Sequence, residues 1–163
     1  MILTDPQRKA LDRSVTRARE IAEAAAAEAL SELGVGENER PRHLTDDQNA
    51  HRLELRAKAR QLGDSTEARR AEIPLLRRDV AYEQWHRLLF ARFLEQNGLL
   101  RHPGYTDTAL SLEDCAELAA SEGEPDGWSL AARFASEILP GIFRLSDPAV
   151  RVRYPRGRML ELE

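Results

Sequence analysis

The stretch AYEQWHRLLFARFLEQNGLL, residues 81–100, decides the fold class because it has helical spacing and very little polar face. It predicts a helix from about Pro74 to Asn97, where Asn97-Gly98 supplies a stop. Each large apolar side chain on it stabilises the fold by roughly 1.5–3 kcal/mol if fully buried. We therefore predict a buried central helix with other helices on several sides. Its apolar set is Leu76, Val80, Trp85, Leu88, Leu89, Phe90, Phe93 and Leu94.

Two arginines in this stretch need acceptors if the helix is enclosed. We expect Arg87 and Arg92 to form buried or interfacial pairs with carboxylates, because a planar guanidinium keeps its hydrogen bonds when water is excluded. Glu83, Glu95 and the acidic segment 104–126 are the candidate partners.

The preceding chain predicts two more helices. The first is long, begins at Thr4 or Asp5 and ends at Gly34. Its mostly alanine stripe favours close approach of a partner helix or subunit. The second begins at the Thr45–Gln48 capping box, ends at Gly63, and has a narrow contact face of Ala50, Leu53, Ala57 and Leu62. The stripe of the first helix consists of Leu11, Val15, Ala18, Ala22, Ala25, Ala29 and Leu33.

The following chain predicts a loop at 102–110, a short helix from Ser111 to about Glu122, and a helix from Trp128 to Leu139. Alternation over 149–158 permits a short strand or an extended arm. The predicted fold is thus all-α, a multi-helix bundle with a long N-terminal helix and a buried central helix. We divide it into a helical domain, 1–147, and a basic connector, 148–163.

Composition limits the function classes. A chain of 163 residues, 42% hydrophobic and 32% charged, fits one globular domain, and no apolar run approaches the roughly 20 residues of a membrane span. The first residues do not have the pattern of a signal peptide, so we expect a cytoplasmic protein with no membrane partner. One cysteine and four scattered histidines predict no disulfide and no metal site.

Charge is unevenly distributed along the chain. Residues 104–147 contain nine acidic and two basic residues, a net charge of −7, whereas 148–158 contain four arginines and no acid, a net charge of +4. Arg151, Arg153, Arg156 and Arg158 are therefore the candidate nucleic-acid-binding residues. The plainer alternative is a solvated cluster that pairs with the preceding acidic block.

The sequence contains no recognisable motif for catalysis or cofactor binding. Gly34-Val35-Gly36 follows an alanine-rich helix rather than a strand, so it is interpreted as a helix cap and not as a cofactor loop. Cys115 lies among carboxylates and is interpreted as a packing residue. His86 is interpreted as a hydrogen-bonded spacer. We predict no catalytic, cofactor-binding or metal-binding residue in this chain.

The 81–100 stretch resembles a segment near the N-terminus of the large phage-defence DNA adenine methyltransferases, of the BREX or phage-growth-limitation type, the DISARM type and related type IIG or IIL restriction-modification enzymes. A second segment, ILPGIFRLSDPAVRVRYPRGRMLELE at 138–163, resembles the connector that precedes their catalytic half. The first match rests on Ala81, Tyr82, Trp85, His86, Arg87, Leu88, Arg92, Phe93, Leu94, Glu95, Asn97, Gly98 and Leu100.

The resemblance implies a noncatalytic helical domain of a class I S-adenosylmethionine-dependent enzyme that methylates adenine N6 on a base flipped from the duplex. The family's S-adenosylmethionine pocket and Asn-Pro-Pro-Tyr element come later in the chain, so no catalytic residue carries over. The expected partners are DNA, the catalytic half, or other subunits of the defence system. The alternative is a stand-alone helical adaptor or inhibitor that uses the alanine stripe of the first helix.

Overall fold

The computed structural model describes residues 4–155, 157, 158 and 161, and it is mostly helical. This confirms the predicted helical class, with a two-stranded sheet added. The chain forms two compact units, unit 1 from residues up to 82 and from 152 onward, and unit 2 from residues 83–151. The predicted division at 147/148 into a helical domain and a basic connector stays a prediction. The elements are α1 Asp5–Glu32, α2 Asp46–Leu62, α3 Pro74–Gln96, β1 Arg101–His102, β2 Tyr105–Ala109, α4 Leu112–Ala119 and α5 Gly127–Ile138.

Helix α1 is buried over its second half only. Thr4 is the N-cap and shares a capping box with Gln7. The predicted stripe is confirmed at Ala22, Ala25 and Ala29, is half-buried at Ala18 and Leu33, and is wrong at Leu11 and Val15, whose exposed fractions are 54% and 42%. The chain leaves the helix through Gly34, whose φ of +59° favours glycine, so this loop is a helix end as predicted. The buried residues of α1 are Ala22, Ala25, Ala26, Ala29 and Leu30.

Helix α2 has the predicted ends and a different buried face. Thr45 accepts a hydrogen bond from the Gln48 N–H, and Gly63 closes the helix at φ +106°. The predicted contact face is wrong, since Ala50, Leu53 and Leu62 are exposed and Ala57 is only half-buried. The side chains that are buried instead are Arg52, Leu55, Arg56 and Ala59.

A buried carboxylate fixes the start of α3. Asp64 accepts hydrogen bonds from the backbone N–H groups of Leu75 at 3.1 Å and Leu76 at 2.8 Å. These two amides lie in the first turn of the helix, where no backbone carbonyl is available to them. Pro74 has no N–H to satisfy at the first position. The predicted start at Pro74 is confirmed.

Helix α3 buries one strip rather than most of its circumference. Leu89 and Phe93 have exposed fractions of 51% and 53%, so the prediction of an enclosed central helix is wrong at these positions. The buried strip is narrow because small and polar residues occupy half of it. Its members are Leu76, Val80, Ala81, Gln84, Arg87, Ala91 and Leu94, while Trp85, Leu88 and Phe90 are half-buried.

Unit 2 also contains a hairpin where a loop was predicted. Strands β1 and β2 pair antiparallel across Pro103-Gly104. Ser111 caps α4 as predicted, although that helix ends at Ala119 rather than near Glu122. Asp126 caps α5, and a Cβ on Gly127 would lie 2.7 Å from Ala116 N, so glycine permits close approach to α4. The core consists of Ala91, Leu94, Leu100, Cys115, Ala119, Leu130, Ala131, Phe134 and Ala135.

The segment after α5 follows the predicted alternation without forming a strand over the described residues 149–155. Val150 and Val152 are buried, whereas Arg151 and Arg153 are exposed. Residues 149–151 form a turn and residues 152–155 have no regular secondary structure, so the predicted extended arm stays a prediction. Among the described helices, none has the length and apolar content needed to cross a membrane.

Candidate functional site

Three of the four arginines predicted to bind nucleic acid are among the described residues, and they lie in both units. Arg151 is exposed in unit 2, and Arg153 is exposed in unit 1. Arg156 lies outside the described residues. Arg158, in unit 1, donates from Nε to Glu28 Oε1 at 3.0 Å and from Nη1 to both carboxylate oxygens of Glu161 at 3.2 Å.

Arg158 therefore forms its hydrogen bonds with carboxylates of its own unit. The hydrogen bond to Glu28 is the main cause that raises the pKa of Arg158, and the same bond lowers the pKa of Glu28. The acidic block at 104–147 supplies neither of these partners. The role of Arg151 and Arg153 in binding DNA stays a prediction.

In unit 2, Arg87 lies at the centre of a buried polar group that we call the Arg87 cluster, formed by Gln84, Arg87, Ser136 and the carbonyls of Ala149 and Val150. Arg87 Nε donates to Ser136 Oγ at 2.9 Å, and Nη1 donates to the Val150 carbonyl at 2.9 Å. Gln84 Nε2 donates to the carbonyls of Ala149 at 3.1 Å and Val150 at 2.9 Å. The cluster joins α3 to α5 and to the segment that follows α5.

The two predicted arginine pairs have different outcomes. Arg87 is buried as expected, and the hydrogen bonds described above go to neutral oxygens, while two of the predicted carboxylates, Glu83 and Glu124, interact with its charge. Burial lowers the pKa of Arg87, and the nearby charges of Glu124 and Glu83 partly oppose this. Arg92 pairs with Glu95, a predicted partner, at 3.3 Å, but the arginine is exposed rather than buried, and its guanidinium lies 5.9 Å from the Trp128 ring centre.

An exposed apolar area of unit 2, which we call the apolar surface, combines Leu89 and Phe93 of α3 with residues 138–145. Ring contacts connect the two parts, because Phe90 lies 6.4 Å from Phe93 and 5.4 Å from Phe143. His86 also lies against Phe143, with ring centres 5.1 Å apart. The members of the apolar surface are Leu89, Phe93, Ile138, Leu139, Ile142 and Leu145, with exposed fractions from 37% to 56%.

These exposed residues lie in the two segments that carry the resemblance. Eight large hydrophobic side chains are exposed among the described residues of unit 2, and all except Tyr105 lie within 81–100 or 138–163. The seven are Leu89, Phe93, Leu99, Ile138, Leu139, Ile142 and Leu145. Each of the two segments therefore contributes buried polar groups to the Arg87 cluster and also exposes large apolar side chains.

His102, Glu122 and Arg133 form a charged group that the sequence analysis did not single out. His102 Nδ1 accepts a hydrogen bond from the Gly104 N–H at 2.9 Å, so Nε2 carries the proton and donates to Glu122 Oε1 at 3.2 Å. Arg133 binds the other oxygen of Glu122. These bonds, from His102 first and then Arg133, lower the pKa of Glu122. The group fastens the hairpin to the end of α4 and to α5.

Two buried arginines of α2 were also missed. Arg52 donates to the carbonyls of Gly34 at 2.9 Å and Glu39 at 3.0 Å. Arg56 donates to the carbonyls of Val35 at 2.7 Å and Thr66 at 2.9 Å. Both pKa values are lowered, chiefly by burial. The signal available in the sequence was their spacing of one helical turn, which places both arginines on one face of α2, close in sequence to a loop whose backbone carbonyls need donors.

A cleft with a volume of about 200 Å³ lies in unit 1. Its wall includes Gly36, Glu37, Arg70, Glu72 and Arg77, so cations and carboxylates are balanced. Glu37 and Arg70 face each other at 3.8 Å. The cleft therefore has no net preference for an anion or a cation.

Comparisons of this chain with family models, curated proteins and solved structures gave no match. The function is therefore argued from the residues and their placement. Cys115 is fully buried, and burial raises the pKa of its thiol to about 11, so the thiol is protonated near neutral pH and acts as a packing group. Within the described residues, no three His, Cys, Asp or Glu side chains are grouped to hold a metal ion.

Proposed function

We propose that this chain is a noncatalytic helical domain of a class I S-adenosylmethionine-dependent DNA adenine N6-methyltransferase of a phage-defence or restriction-modification system, and that it docks onto the catalytic half. The observation that carries the proposal is the placement of the apolar surface in the two resembling segments. In the family that these segments resemble, the second segment leads into the catalytic half.

Exposed apolar area supports a docking role on energetic grounds. Fully burying a large side chain such as Phe93 stabilises a protein or complex by roughly 1.5–3 kcal/mol. Leaving several such side chains in water therefore lowers the solubility of the free chain. Contiguous apolar patches of several hundred Å² on soluble proteins usually mark interaction sites. Here Leu89 and Phe93 lie on α3 and the other four members lie within 138–145, and the two parts are connected through the rings of Phe90 and Phe143, whose centres are 5.4 Å apart.

The Arg87 cluster supports the same reading, because it would hold the two parts of the apolar surface together. Its hydrogen bonds connect α3 directly to Ser136 and Val150, on either side of residues 138–145. A polar group used in this way is occupied with positioning rather than with chemistry. S-adenosylmethionine and the flipped adenine would bind in the catalytic half, so cofactor binding by this chain alone is not expected.

The adaptor alternative receives less support. It relied on the alanine stripe of α1 as a contact surface, yet Ala22, Ala25 and Ala29 are already buried, at 1%, 0% and 3% exposed. Enlarging them would therefore destabilise the chain before it tested any partner. Only Leu11 and Val15 of that stripe are exposed.

The proposal is tested by titrating the chain, by calorimetry, against a purified polypeptide of the same system that contains the Asn-Pro-Pro-Tyr element. We expect saturable binding that the double variant Leu89→Ser/Ile142→Ser weakens at least tenfold. The matched control Leu11→Ser/Leu53→Ser changes residues of similar exposure in unit 1, at 54% and 52%, and should bind like the unchanged chain. Equal weakening by both pairs, or tight S-adenosylmethionine binding by this chain alone, would reject the proposal.

A further inference from the structure

The first half of α1 presents a row of cations on an entirely exposed helix. Residues 4–17 are all exposed, and Lys9, Arg13 and Arg17 follow one another at intervals of four. With a rise of 1.5 Å per residue, the row places one positive charge about every 6 Å along about 12 Å of helix. A second face of the same half carries Leu11 and Val15, so the cations are segregated from the apolar positions.

The row contains like-charge pairs, and acidic residues flank it at helical spacing, with Asp5 four residues before Lys9 and Glu20 three residues after Arg17. Like charges four residues apart destabilise a helix by about 0.2–0.5 kcal/mol per pair, and the row contains two such pairs. Arg19, in the same half, is paired with Glu23 at 3.0 Å and lies outside the row. Residues 5–20 contain five basic and three acidic side chains, a net charge of +2. An anionic partner along the row would remove the repulsion.

We propose that Lys9, Arg13 and Arg17 bind the phosphate backbone of duplex DNA. Duplex DNA carries one negative charge per about 1.7 Å of its axis, so a 12 Å row faces several phosphates at once. Such contacts hold and orient the protein and carry no sequence information. The choice of DNA over other linear polyanions rests on the proposed function. The row of three cations is an observation that does not depend on that function.

The chemistry of the opposite face favours DNA over an acidic membrane. A helix that lies in a membrane interface buries large apolar side chains such as Trp, Phe and Leu. The described part of this face offers Leu11, Val15 and the half-buried Ala18, with no aromatic residue.

The test is fluorescence anisotropy of the full chain with a labelled 20-base-pair duplex of arbitrary sequence, over a range of salt concentrations. The variant Lys9→Gln/Arg13→Gln/Arg17→Gln should weaken binding at least tenfold and lower the slope of log K against log salt by about 2–3. The matched control Arg42→Gln/Arg69→Gln/Arg78→Gln removes the same charge from exposed positions elsewhere in unit 1. It should keep most of the affinity and slope.

Circular dichroism of each variant verifies that helix content is unchanged. Equal losses in the two triple variants would overturn the proposal, because the effect would then depend on net charge alone. Binding to vesicles of anionic phospholipid with no binding to the duplex would also overturn it. Failure here leaves the calorimetric test of the apolar surface unaffected, since Leu89 and Ile142 lie in unit 2.

Discussion

In unit 2, Nε of Arg87 on α3 donates a hydrogen bond to Oγ of Ser136 on α5 over 2.9 Å, and both side chains are buried. Ser136 in turn donates to the Ala132 carbonyl at 2.6 Å, so its oxygen has a lone pair directed at the arginine. The hydrogen bonds from this buried charge to Ser136, Gln84 and Val150 therefore end on neutral oxygens, and the carboxylates of Glu124 and Glu83 act on it through their charge. This arrangement is the basis of the first prediction.

Replacing Arg87 with methionine should lower the free energy of unfolding by about 2–3 kcal/mol, because several hydrogen bonds from a charged group are lost at a buried site. The measurement is chemical denaturation followed by circular dichroism. The control Arg92→Met removes an exposed arginine whose pair with Glu95 should contribute no more than about 1 kcal/mol. Similar losses in both variants would contradict the role of the Arg87 cluster.

Asp64→Ala should destabilise unit 1 by about 1–2 kcal/mol, because two first-turn amides of α3 lose their acceptor. Differential scanning calorimetry measures the change in Tm. Asp47→Ala, at an exposed position in the first turn of α2, serves as the control and should change little. An unchanged Tm for the Asp64 variant would mean that the buried carboxylate does not stabilise the start of α3.

The Glu122 group predicts a direction for pH dependence. Because its folded pKa lies below the ordinary value of 4.5, the stabilisation by Glu122 is present above that value and is lost as pH falls through the folded pKa. Glu122→Gln should therefore lower Tm near neutral pH, and the difference from the unchanged chain should shrink in acid. A Tm difference that stays constant from pH 7 to pH 3 would refute this account of His102, Glu122 and Arg133.

Cys115 should react slowly with a thiol reagent in the folded chain. Its thiol is buried, and with a pKa of about 11 only about one thousandth of it is ionised at pH 8. Labelling in 6 M guanidinium chloride should be complete within seconds to minutes, whereas the native chain should label only as it unfolds. Fast native labelling would place Cys115 at the surface.

The sequence predicted those features that depend on neighbouring residues. The capping boxes at Thr45 and Ser111 and the stop at Gly63 are encoded within four residues, and the structure confirms each of them. The buried face of α2 was not predictable in this way. Arg52 and Arg56 are buried because their acceptors lie 10 to 21 residues away, in the connections before and after α2, whose paths the sequence does not give.

The error on α3 has a different cause. Hydrophobic side chains at Leu89 and Phe93 predict burial, but the pattern does not distinguish burial within the chain from burial against another molecule. The hairpin was missed because β1 has only two residues, too few for a recognisable alternation. The row Lys9, Arg13 and Arg17 was visible in the sequence, while its exposure along the whole of residues 4–17 was not.

The central claim is that the apolar surface docks onto the catalytic half of a DNA adenine methyltransferase. Hydrogen–deuterium exchange of the chain, alone and with a polypeptide of the same system that contains the Asn-Pro-Pro-Tyr element, tests it most directly. We predict that peptides covering 86–95 and 138–146 exchange more slowly in the mixture, while those covering 5–17 do not change. Unchanged exchange at 86–95 and 138–146, with or without slowing elsewhere, would contradict the claim.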